Sequence, residues 1–350
     1  MTAGGGGCVG ILANPMSGRD VRRVAARASR LSHEYKREQI QRAVIGAVAA
    51  GAERVLLVHD CFRTAESAVE CLHLHAEIGF VDVRIETKPA DTTRAAQAMR
   101  DAGCGALLVL GGDGTHRVAA QAWLDAPMVT LSTGTNNVFP ELLEATTAGA
   151  AAGLVASGRI AVEEVARPAK RIEVEFRDGV QTLALIDAAL LADDHPGNLM
   201  PFEPAKLRHL VLARAEPTAV GMSPVGGLLH PSGRDDDHGV EVRCSAEDGD
   251  GRPLLVPVSP GLYGYCHVVD ARPVALGEAI GIRGPGVIAF DGDRDRRLAP
   301  DEEVTVRVLR DGPRVIDVRR TLALAAERGS FLERLHWHDE HHGGGGFDCC

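Results

Sequence analysis

Aromatic residues are scarce in this sequence, and long apolar runs do not occur in it. Phenylalanine, tryptophan and tyrosine together make up 4% of the 350 residues. No segment approaches the roughly 18 consecutive apolar residues of a transmembrane helix. The N-terminal stretch MTAGGGGCVG has neither the basic nor the apolar region of a secretory signal. We therefore expect a cytoplasmic protein that does not interact with a membrane.

Positive charge and cysteine motifs are also in short supply. The chain has 38 lysines and arginines against 48 aspartates and glutamates, a net charge of -10. This balance argues against a general nucleic-acid binder, but it allows a local basic pocket around one small phosphorylated ligand. The eight cysteines lack the close pairing of a zinc ribbon or a CxxC motif. We expect free thiols in a reducing compartment and assign no metal-ligating residue.

Strand and helix patterns alternate through the first half of the chain. Strands are predicted in CVGILANP, RVLLVHD, VDVRIETKP, ALLVL and PMVTLST, and helices from Ser32 to Ala50 and in TTRAAQAMRDAGC. This order predicts an α/β domain with a doubly wound, Rossmann-like parallel sheet. Ligands of such sheets bind at the carboxyl ends of the strands.

The pattern changes after an Ala/Gly-rich helix predicted from Ala145 to Gly158. Short alternating strands separated by turns follow, such as RIEVEF, GVEVRC and EVTVRVLR, which predict an antiparallel β domain. The expected organisation is a flexible N-terminus at 1–8, an α/β domain that binds nucleotide phosphates at 9–150, a β-rich domain at 151–330 and a flexible tail at 331–350.

The segment LLVLGGDGTHRVAAQ joins a buried strand to a helix through a glycine-rich turn. Glycine has no Cβ and can adopt φ > 0, so backbone N–H groups can approach a phosphate there, and the helix adds the positive end of its dipole. Phosphate binding is assigned to Gly111, Gly112, Gly114 and Thr115. Asp113 needs a separate role. It either accepts a proton from an attacking hydroxyl or faces a metal ion, unless it only caps the helix.

Two further polar loops follow predicted strands and should reach the same crevice. In LANPMSGRD, phosphate contacts are assigned to Asn14, Ser17, Gly18 and Arg19. In STGTNNVFP, substrate contacts are assigned to Thr133, Gly134, Thr135, Asn136 and Asn137, whose hydroxyls and amides suit ribose or base edges. Arginines 22, 23, 27 and 30 either bind phosphate or form a solvated basic face.

The ordered set NPMSG, GGDGT and GTNN, followed by EPTAVGMSPVGG and IAFDGD, resembles the superfamily of NAD kinases and diacylglycerol-type kinases. It is most similar to the acetoin-catabolism X protein branch, over residues 9–325. The resemblance implies an α/β domain and a C-terminal β-sandwich with the active site between them. It also implies an ATP- and Mg²⁺-dependent kinase that forms homo-oligomers, with Asp113 acting on a hydroxyl of NAD.

The second half departs from that resemblance at two segments. Where NAD kinases carry an Asn-Glu or Asn-Asp pair, this chain reads ALIDAAL, so Asp187 keeps the acid and Ile186 removes the amide. Where they carry PTGSTAY, this chain reads PTAVGMS, in which Thr218 survives. Asp291 and Gly292 match the late turn of the family and are expected to border the cleft.

Three functions are compatible with these observations. The first is a kinase that phosphorylates a hydroxyl of NAD(H) or a related metabolite. The second is a dinucleotide-binding sensor that has lost turnover, which the altered ALIDAAL and PTAVGMS segments favour. The third is a lipid or polyol kinase of the diacylglycerol type. The first two predict a small-molecule ligand and no macromolecular substrate.

Overall fold

The computed structural model describes residues 7–17, 32–133, 137–246 and 249–332. Within these ranges the chain forms eighteen strands and eight α-helices. The strands are β1 Cys8–Ala13, β2 Arg54–Val58, β3 Glu77–Val81, β4 Ala106–Gly111, β5 Pro127–Ser132, β6 Ala166–Pro168, β7 Arg171–Phe176, β8 Gln181–Ala184, β9 Asp187–Leu191, β10 Leu207–Leu212, β11 His238–Ser245, β12 Arg252–Ser259, β13 Leu262–Ala275, β14 Ile280–Arg283, β15 Gly286–Phe290, β16 Asp293–Leu298, β17 Glu303–Leu309 and β18 Arg314–Ile316. The helices are α1 His33–Ala49, α2 Thr64–Val69, α3 Pro89–Asp101, α4 Asp113–Ala122, α5 Ala145–Ala156, α6 Val162–Val165, α7 Ser223–Gly227 and α8 Val318–Glu327. In the described part of the chain, none of the helices has the length and apolar character needed to cross a membrane.

The first lobe is a seven-stranded sheet in the order β3-β2-β1-β4-β5-β18-β6. Its first six strands are parallel and β6 is antiparallel. Strands β1 and β4 are almost completely buried, as expected for strands covered by helices on both faces. The prediction of an α/β domain with a parallel sheet is confirmed.

One predicted strand lies earlier in the chain than the sequence indicated. The third strand is β3, and the segment VDVRIETKP follows it as a loop beyond Val81. The backbone of this loop is satisfied by side chains of α3 and not by a neighbouring strand. Arg94 Nε donates to the Arg84 carbonyl at 2.9 Å, and the Asp91 carboxylate accepts the Glu86 N–H at 3.0 Å. These contacts are made after folding and leave no periodic signal in the sequence.

Helices α1 and α5 pack closely on one face of the first sheet. A Cβ at Gly149 would lie 2.1 Å from the Ala43 carbonyl oxygen, and one at Gly46 would lie 2.0 Å from the Thr146 carbonyl oxygen. The two helix backbones therefore touch where both carry small residues. Their alanines and valines form one buried core with the strands beneath them.

The second lobe is an antiparallel β-sandwich, as predicted. One sheet has the order β12-β13-β11-β10-β9-β15-β16 and the other has the order β14-β17-β7-β8. Ile172 and Val306 of the four-stranded sheet share a buried core with Leu190, Val211 and Ile288 of the seven-stranded sheet. The alternation of apolar and polar residues in the sequence thus corresponds to one inward face on each sheet.

The chain returns from the second lobe to the first before residue 332. Strand β18 pairs in parallel with β5, and its partner β6 also belongs to the first sheet. Val318 and Ala325 of α8 lie in the core of the first lobe. The first lobe is therefore built from two separate parts of the sequence, and residues 314–327 complete it, although the sequence grouped them with the β-rich domain. A three-residue strand is too short to give a recognisable pattern.

Candidate active site

A cavity of about 460 Å³ lies between the two lobes, at the carboxyl ends of β1, β4 and β5. The first lobe contributes most of the predicted site residues to its wall, namely Asn14, Ser17, Gly112, Asp113, Gly114, Thr115, Thr133 and Asn137. The second lobe contributes Asp187, Asp291 and Gly292. Gly18, Arg19, Gly134, Thr135 and Asn136 lie outside the described residues, as do arginines 22, 23, 27 and 30.

The glycine-rich turn leads from β4 directly into α4. Its glycines do not have positive φ, in contrast to the expectation from sequence, and Gly112 at the N-cap is extended with φ -95°. They are required because neighbouring atoms come close. A Cβ at Gly111 would lie 2.5 Å from Thr115 Cβ, and one at Gly112 would lie 2.9 Å from Asn137 Oδ1. The missing side chains bring the turn against its own helix and the loop after β5.

Asp113 is the first residue of α4, and its carboxylate does not cap that helix. Oδ1 accepts the N–H of Val138 at 3.1 Å and of Phe139 at 2.8 Å. The residue is half-buried, surrounded by protein but open to the cavity. Burial is the main cause that raises the pKa of Asp113, to about 7. The nearby Asp291 carboxylate also raises this pKa, whereas the hydrogen bonds from the two backbone N–H groups lower it.

Two carboxylates of the second lobe, Asp187 and Asp291, lie near Asp113 and interact with it through their charges. Asp187 begins β9 and is buried; burial, then the charges of Asp291 and Asp113, raise its pKa well above the usual range. Its Oδ1 has no hydrogen-bond partner among the described residues. Asp291, with φ 48°, accepts the N–H groups of Leu185, Ile186 and Asp187 at 2.8–3.1 Å. Burial also raises the pKa of Asp291.

A buried arginine that the sequence analysis missed, Arg214, holds the backbone segment that binds Asp113. Arg214 Nη1 donates to the carbonyls of Val138 and Phe139 at 3.2 and 3.3 Å, so it holds the same residues whose N–H groups bind Asp113. Its guanidinium lies 4.5 Å from the Phe139 ring centroid. Burial lowers the pKa of Arg214 to about 10, which leaves it charged at neutral pH. The signal in the sequence is one arginine at the end of the apolar run LRHLVLAR, which carries no motif.

The loop after β1 is fixed by polar side chains. Asn14 Nδ2 donates to Thr115 Oγ1 at 2.9 Å, and Thr133 Oγ1 donates to Ser17 Oγ at 2.8 Å. Lys36, a fully buried lysine of α1, donates through Nζ to the carbonyls of Asn14 and Pro15. The three polar loops predicted from sequence therefore meet at the cavity, but Lys36 was not foreseen.

Two arginines bring positive charge to the cavity wall. Arg117 of α4 pairs with Asp293 at 2.8 Å and lies 3.9 Å from Asp291. Arg294 pairs with Asp194 at 3.2 Å and donates to the Gly292 carbonyl at 2.8 Å. Arg117 crosses the lobe boundary, because α4 belongs to the first lobe and the Asp291–Asp293 turn to the second.

Part of the second-lobe wall is apolar where the resemblance implied hydroxyl groups, although Ser223 and Ser259 also line the cavity. Thr218 is exposed and is not among the residues that line the cavity. Its neighbours Val220 and Met222 line the cavity instead, together with Phe202 and Val258. The structure therefore does not bring Thr218 to the site, since the turn that contains it points to solvent.

Comparisons with known proteins divide the chain close to the junction of the two lobes. The ATP-NAD kinase N-terminal domain matches residues 9–160, and the Acetoin catabolism protein X C-terminal domain matches residues 170–311. Acetoin catabolism protein X of Cupriavidus necator is 35% identical over 324 residues, which cover 89% of this chain and 90% of that protein. The chain belongs to the acetoin catabolism protein X family. The resemblance identified from the ordered motifs is thereby confirmed.

Solved structures also match the chain, at low similarity. Two crystal structures from Bacillus anthracis str. Sterne, assigned as diacylglycerol kinases, match 89% and 90% of this chain and 97% and 98% of their own. Their sequence identities are 11% and 12%, and their TM-scores are 0.47 and 0.41. At this level of similarity, activity cannot be transferred from them.

The two departures from NAD kinases fall in the half that matches the acetoin catabolism protein X domain. Ile186 and Asp187 lie on the segment held by Asp291, and Val220 and Met222 form part of the apolar wall. The glycine-rich turn and the loop after β1 lie in the half that matches the ATP-NAD kinase domain. In this chain, a first lobe that matches the ATP-NAD kinase domain is thus combined with a second-lobe wall that departs from the NAD-kinase motifs.

Proposed function

We propose that this protein is an ATP- and Mg²⁺-dependent phosphotransferase that acts on a hydroxyl of NAD(H) or a related small metabolite. The observation that carries the proposal is Asp113, a carboxylate open to the cavity beside a glycine-rich turn, with a pKa of about 7. The match of the first lobe to the ATP-NAD kinase domain supports the choice of donor and of the first acceptor to test.

Asp113 would serve as the general base. A group whose pKa lies near the working pH is partly ionised and still accepts a proton readily, which is the compromise that proton transfer needs. Oδ1 is occupied by two backbone N–H groups, so Oδ2, which has only a longer contact of 3.2 Å with the Val138 N–H, is better placed to receive the proton of the acceptor hydroxyl.

The glycine-rich turn would hold the phosphates of the donor. Gly112, Gly114 and Thr115 line the cavity at the start of α4, so phosphate oxygens can approach the backbone and the positive end of the helix dipole. The Asn14–Thr115 hydrogen bond fixes this edge. Binding and orientation of the two reactants supply most of the catalysis in phosphoryl transfer.

Asp187 is the residue best suited to contact Mg²⁺. Its buried Oδ1 lacks a hydrogen-bond partner among the described residues, which fits a carboxylate that a cation would satisfy. No group of three His, Cys, Asp or Glu side chains in the described ranges is arranged to hold a metal. Magnesium in such sites takes one or two carboxylates and obtains its remaining ligands from phosphates and water. When bound, it would neutralise charge on the phosphates.

The test is incubation of the purified protein with Mg-ATP and a panel of NAD, NADH and polyols, followed by mass spectrometry for a phosphorylated product. Asp113→Asn is expected to lose about 10²–10⁴-fold in rate. Asp101→Asn makes the same change on the exposed end of α3 and should keep full activity. No product from any acceptor, with nucleotide binding unchanged by Asp113→Asn, would contradict the proposal.

The apolar wall favours a second candidate, a dinucleotide-binding sensor without turnover. Val220 stands where the PTGSTAY segment of NAD kinases carries a serine, and Gly221 where it carries a threonine. Titration calorimetry separates the two functions, because a sensor binds NAD or ATP tightly and forms no product. Light scattering on the same samples tests the expected homo-oligomer.

A further inference from the structure

Two cysteine thiols that are far apart in the sequence touch inside the first lobe. Cys8 begins β1, and Cys104 lies in the loop between α3 and β4. Their Sγ atoms are 3.2 Å apart, although 96 residues separate them. Both residues are 5% exposed. The Gly105 N–H donates to the Cys8 carbonyl at 2.8 Å, so backbone pairing holds the two thiols together.

The surroundings make the two thiols unequal. The hydrogen bond from Cys104, helped by the charge of Arg54, lowers the pKa of Cys8 against the effect of burial. The same contact, together with burial, raises the pKa of Cys104. Because the two sulfurs share one hydrogen bond, one ionises more readily while the other remains a thiol beside it, and the directions of the two pKa shifts favour Cys8 as the thiolate.

We propose that Cys8 and Cys104 form a reversible disulfide when the protein meets hydrogen peroxide. The Cys8 thiolate attacks one peroxide oxygen and becomes a sulfenic acid, while the second oxygen leaves as hydroxide and is protonated to water. The Cys104 sulfur then attacks the Cys8 sulfur and a second water leaves. Two thiols are oxidised to one disulfide and one peroxide is reduced to two waters. Because each cysteine is only 5% exposed, we expect a small oxidant such as peroxide to reach the pair more readily than a larger disulfide reagent.

The disulfide would join the start of β1 to the loop just before β4, and each of these strands carries a phosphate loop at its other end. β1 leads into the Asn14 loop and β4 leads into the glycine-rich turn, roughly 16 Å away along the strands. The modification would therefore stabilise the first lobe without blocking the cavity. It does not depend on the proposed kinase activity.

The test treats the full-length protein with peroxide, alkylates the free thiols and maps the peptides without reduction. We expect a linkage between the Cys8 and Cys104 peptides that dithiothreitol reverses, and a melting temperature several degrees higher after oxidation, because the cross-link closes a long loop. Cys244 and Cys266, which are both buried in the second lobe, serve as internal controls and should stay free.

Two variants separate the roles of the sulfurs. In Cys104→Ser, Cys8 should accumulate as a sulfenic acid that dimedone traps. In Cys8→Ser, Cys104 should stay unmodified. Absence of the Cys8–Cys104 linkage at peroxide levels that oxidise the exposed Cys61 and Cys71 would overturn the proposal, as would pairing of Cys8 with any other cysteine.

Discussion

At the scale of single residues, the site depends on carboxylates held by the peptide backbone. Asp113 is bound by N–H groups of residues 138 and 139, and Asp291 by those of residues 185–187. Backbone donors are fixed in place and cannot be displaced by another rotamer. The two carboxylates are therefore kept close together even though the charges repel each other.

The raised pKa of Asp113 predicts how stability changes with pH. The folded-state pKa of about 7 exceeds the ordinary value of 3.8, so the stabilising contribution of this group is complete below pH 4 and is lost as pH rises through 7. Asp113→Asn keeps an oxygen for both backbone donors and removes the charge. We expect its melting temperature to exceed that of the wild type at pH 8 and to equal it near pH 4. A lower melting temperature at pH 8 would contradict the assignment.

The same group predicts the pH dependence of turnover. If Asp113 accepts the hydroxyl proton, kcat/KM should fall as pH drops below about 7, since the protonated acid cannot act as a base. Rates across pH 5.5–8.5 with saturating Mg-ATP would show this limb. A flat profile would remove Asp113 from the proton transfer.

Arg214 should affect the pH at which kcat/KM begins to fall. Its positive charge lowers the pKa of Asp113, so Arg214→Met should move the acidic limb to higher pH, and it should cost about 1–3 kcal/mol in unfolding free energy because two buried carbonyls lose their donor. Arg208→Met is the control, because Arg208 also donates to backbone carbonyls but not to those of Val138 and Phe139, the residues that bind Asp113. An unshifted limb in Arg214→Met would show that the arginine is only structural.

Sequence reasoning predicted which motif residues lie at the cavity, and it missed residues that are brought there by folding. Asp113 and Asn14 could be placed because each follows an apolar strand in a glycine- or proline-containing turn. Lys36 and Arg214 could not, since their partners are 22 and 76 residues away. Thr218 was assigned to the site for a similar reason. A residue that matches a family motif can still lie on the side of a turn that faces away from the cavity.

At the scale of elements, most strands and helices of the first lobe followed the apolar patterns of the sequence, with β3 and β18 as exceptions. The boundaries of α1 agree with the predicted helix because Ser32 caps it through a hydrogen bond to the Tyr35 N–H. The close packing of α1 against α5 could not be predicted from the sequence. Helix α5 is apolar on all sides, so its pattern indicates no preferred face.

Gly149 tests this helix pair. Alanine usually stabilises a helix relative to glycine by roughly 1 kcal/mol. Here its Cβ would meet a backbone carbonyl at 2.1 Å, so Gly149→Ala should instead cost at least about 1–3 kcal/mol in chemical denaturation. Gly79→Ala is the control, because the nearest atom would be 3.4 Å away and belongs to the flexible Leu56 side chain. Equal effects of the two substitutions would be incompatible with backbone contact.

At the scale of the whole molecule, the first lobe is completed by the last part of the described chain. β18 covers β5, and α8 packs against α5. The lobe that carries Asp113 therefore cannot finish folding until the second lobe has been traversed. Order along the chain suggested two consecutive domains, and only long-range pairing reveals that they interleave.

Removal of residues 314–327, which form β18 and α8, should therefore destabilise the first lobe. Deletion of residues 313–350 exposes the edge of β5 and part of the α5 core, so we expect loss of cooperative unfolding and rapid proteolysis within residues 32–160. Deletion of 333–350 alone, which the sequence predicts to be a tail, should leave the melting temperature unchanged. Normal cooperative unfolding of the shorter chain would show that the first lobe folds without β18.

The backbone grip on Asp113 and Asp291 has a consequence for how this site can evolve. Positions 138, 139 and 185 contribute only a peptide N–H to this arrangement, which every amino acid except proline provides. Relatives can therefore carry other amino acids there and still hold the same two carboxylates. Sequence divergence at these positions thus says little about whether the chemistry has been kept.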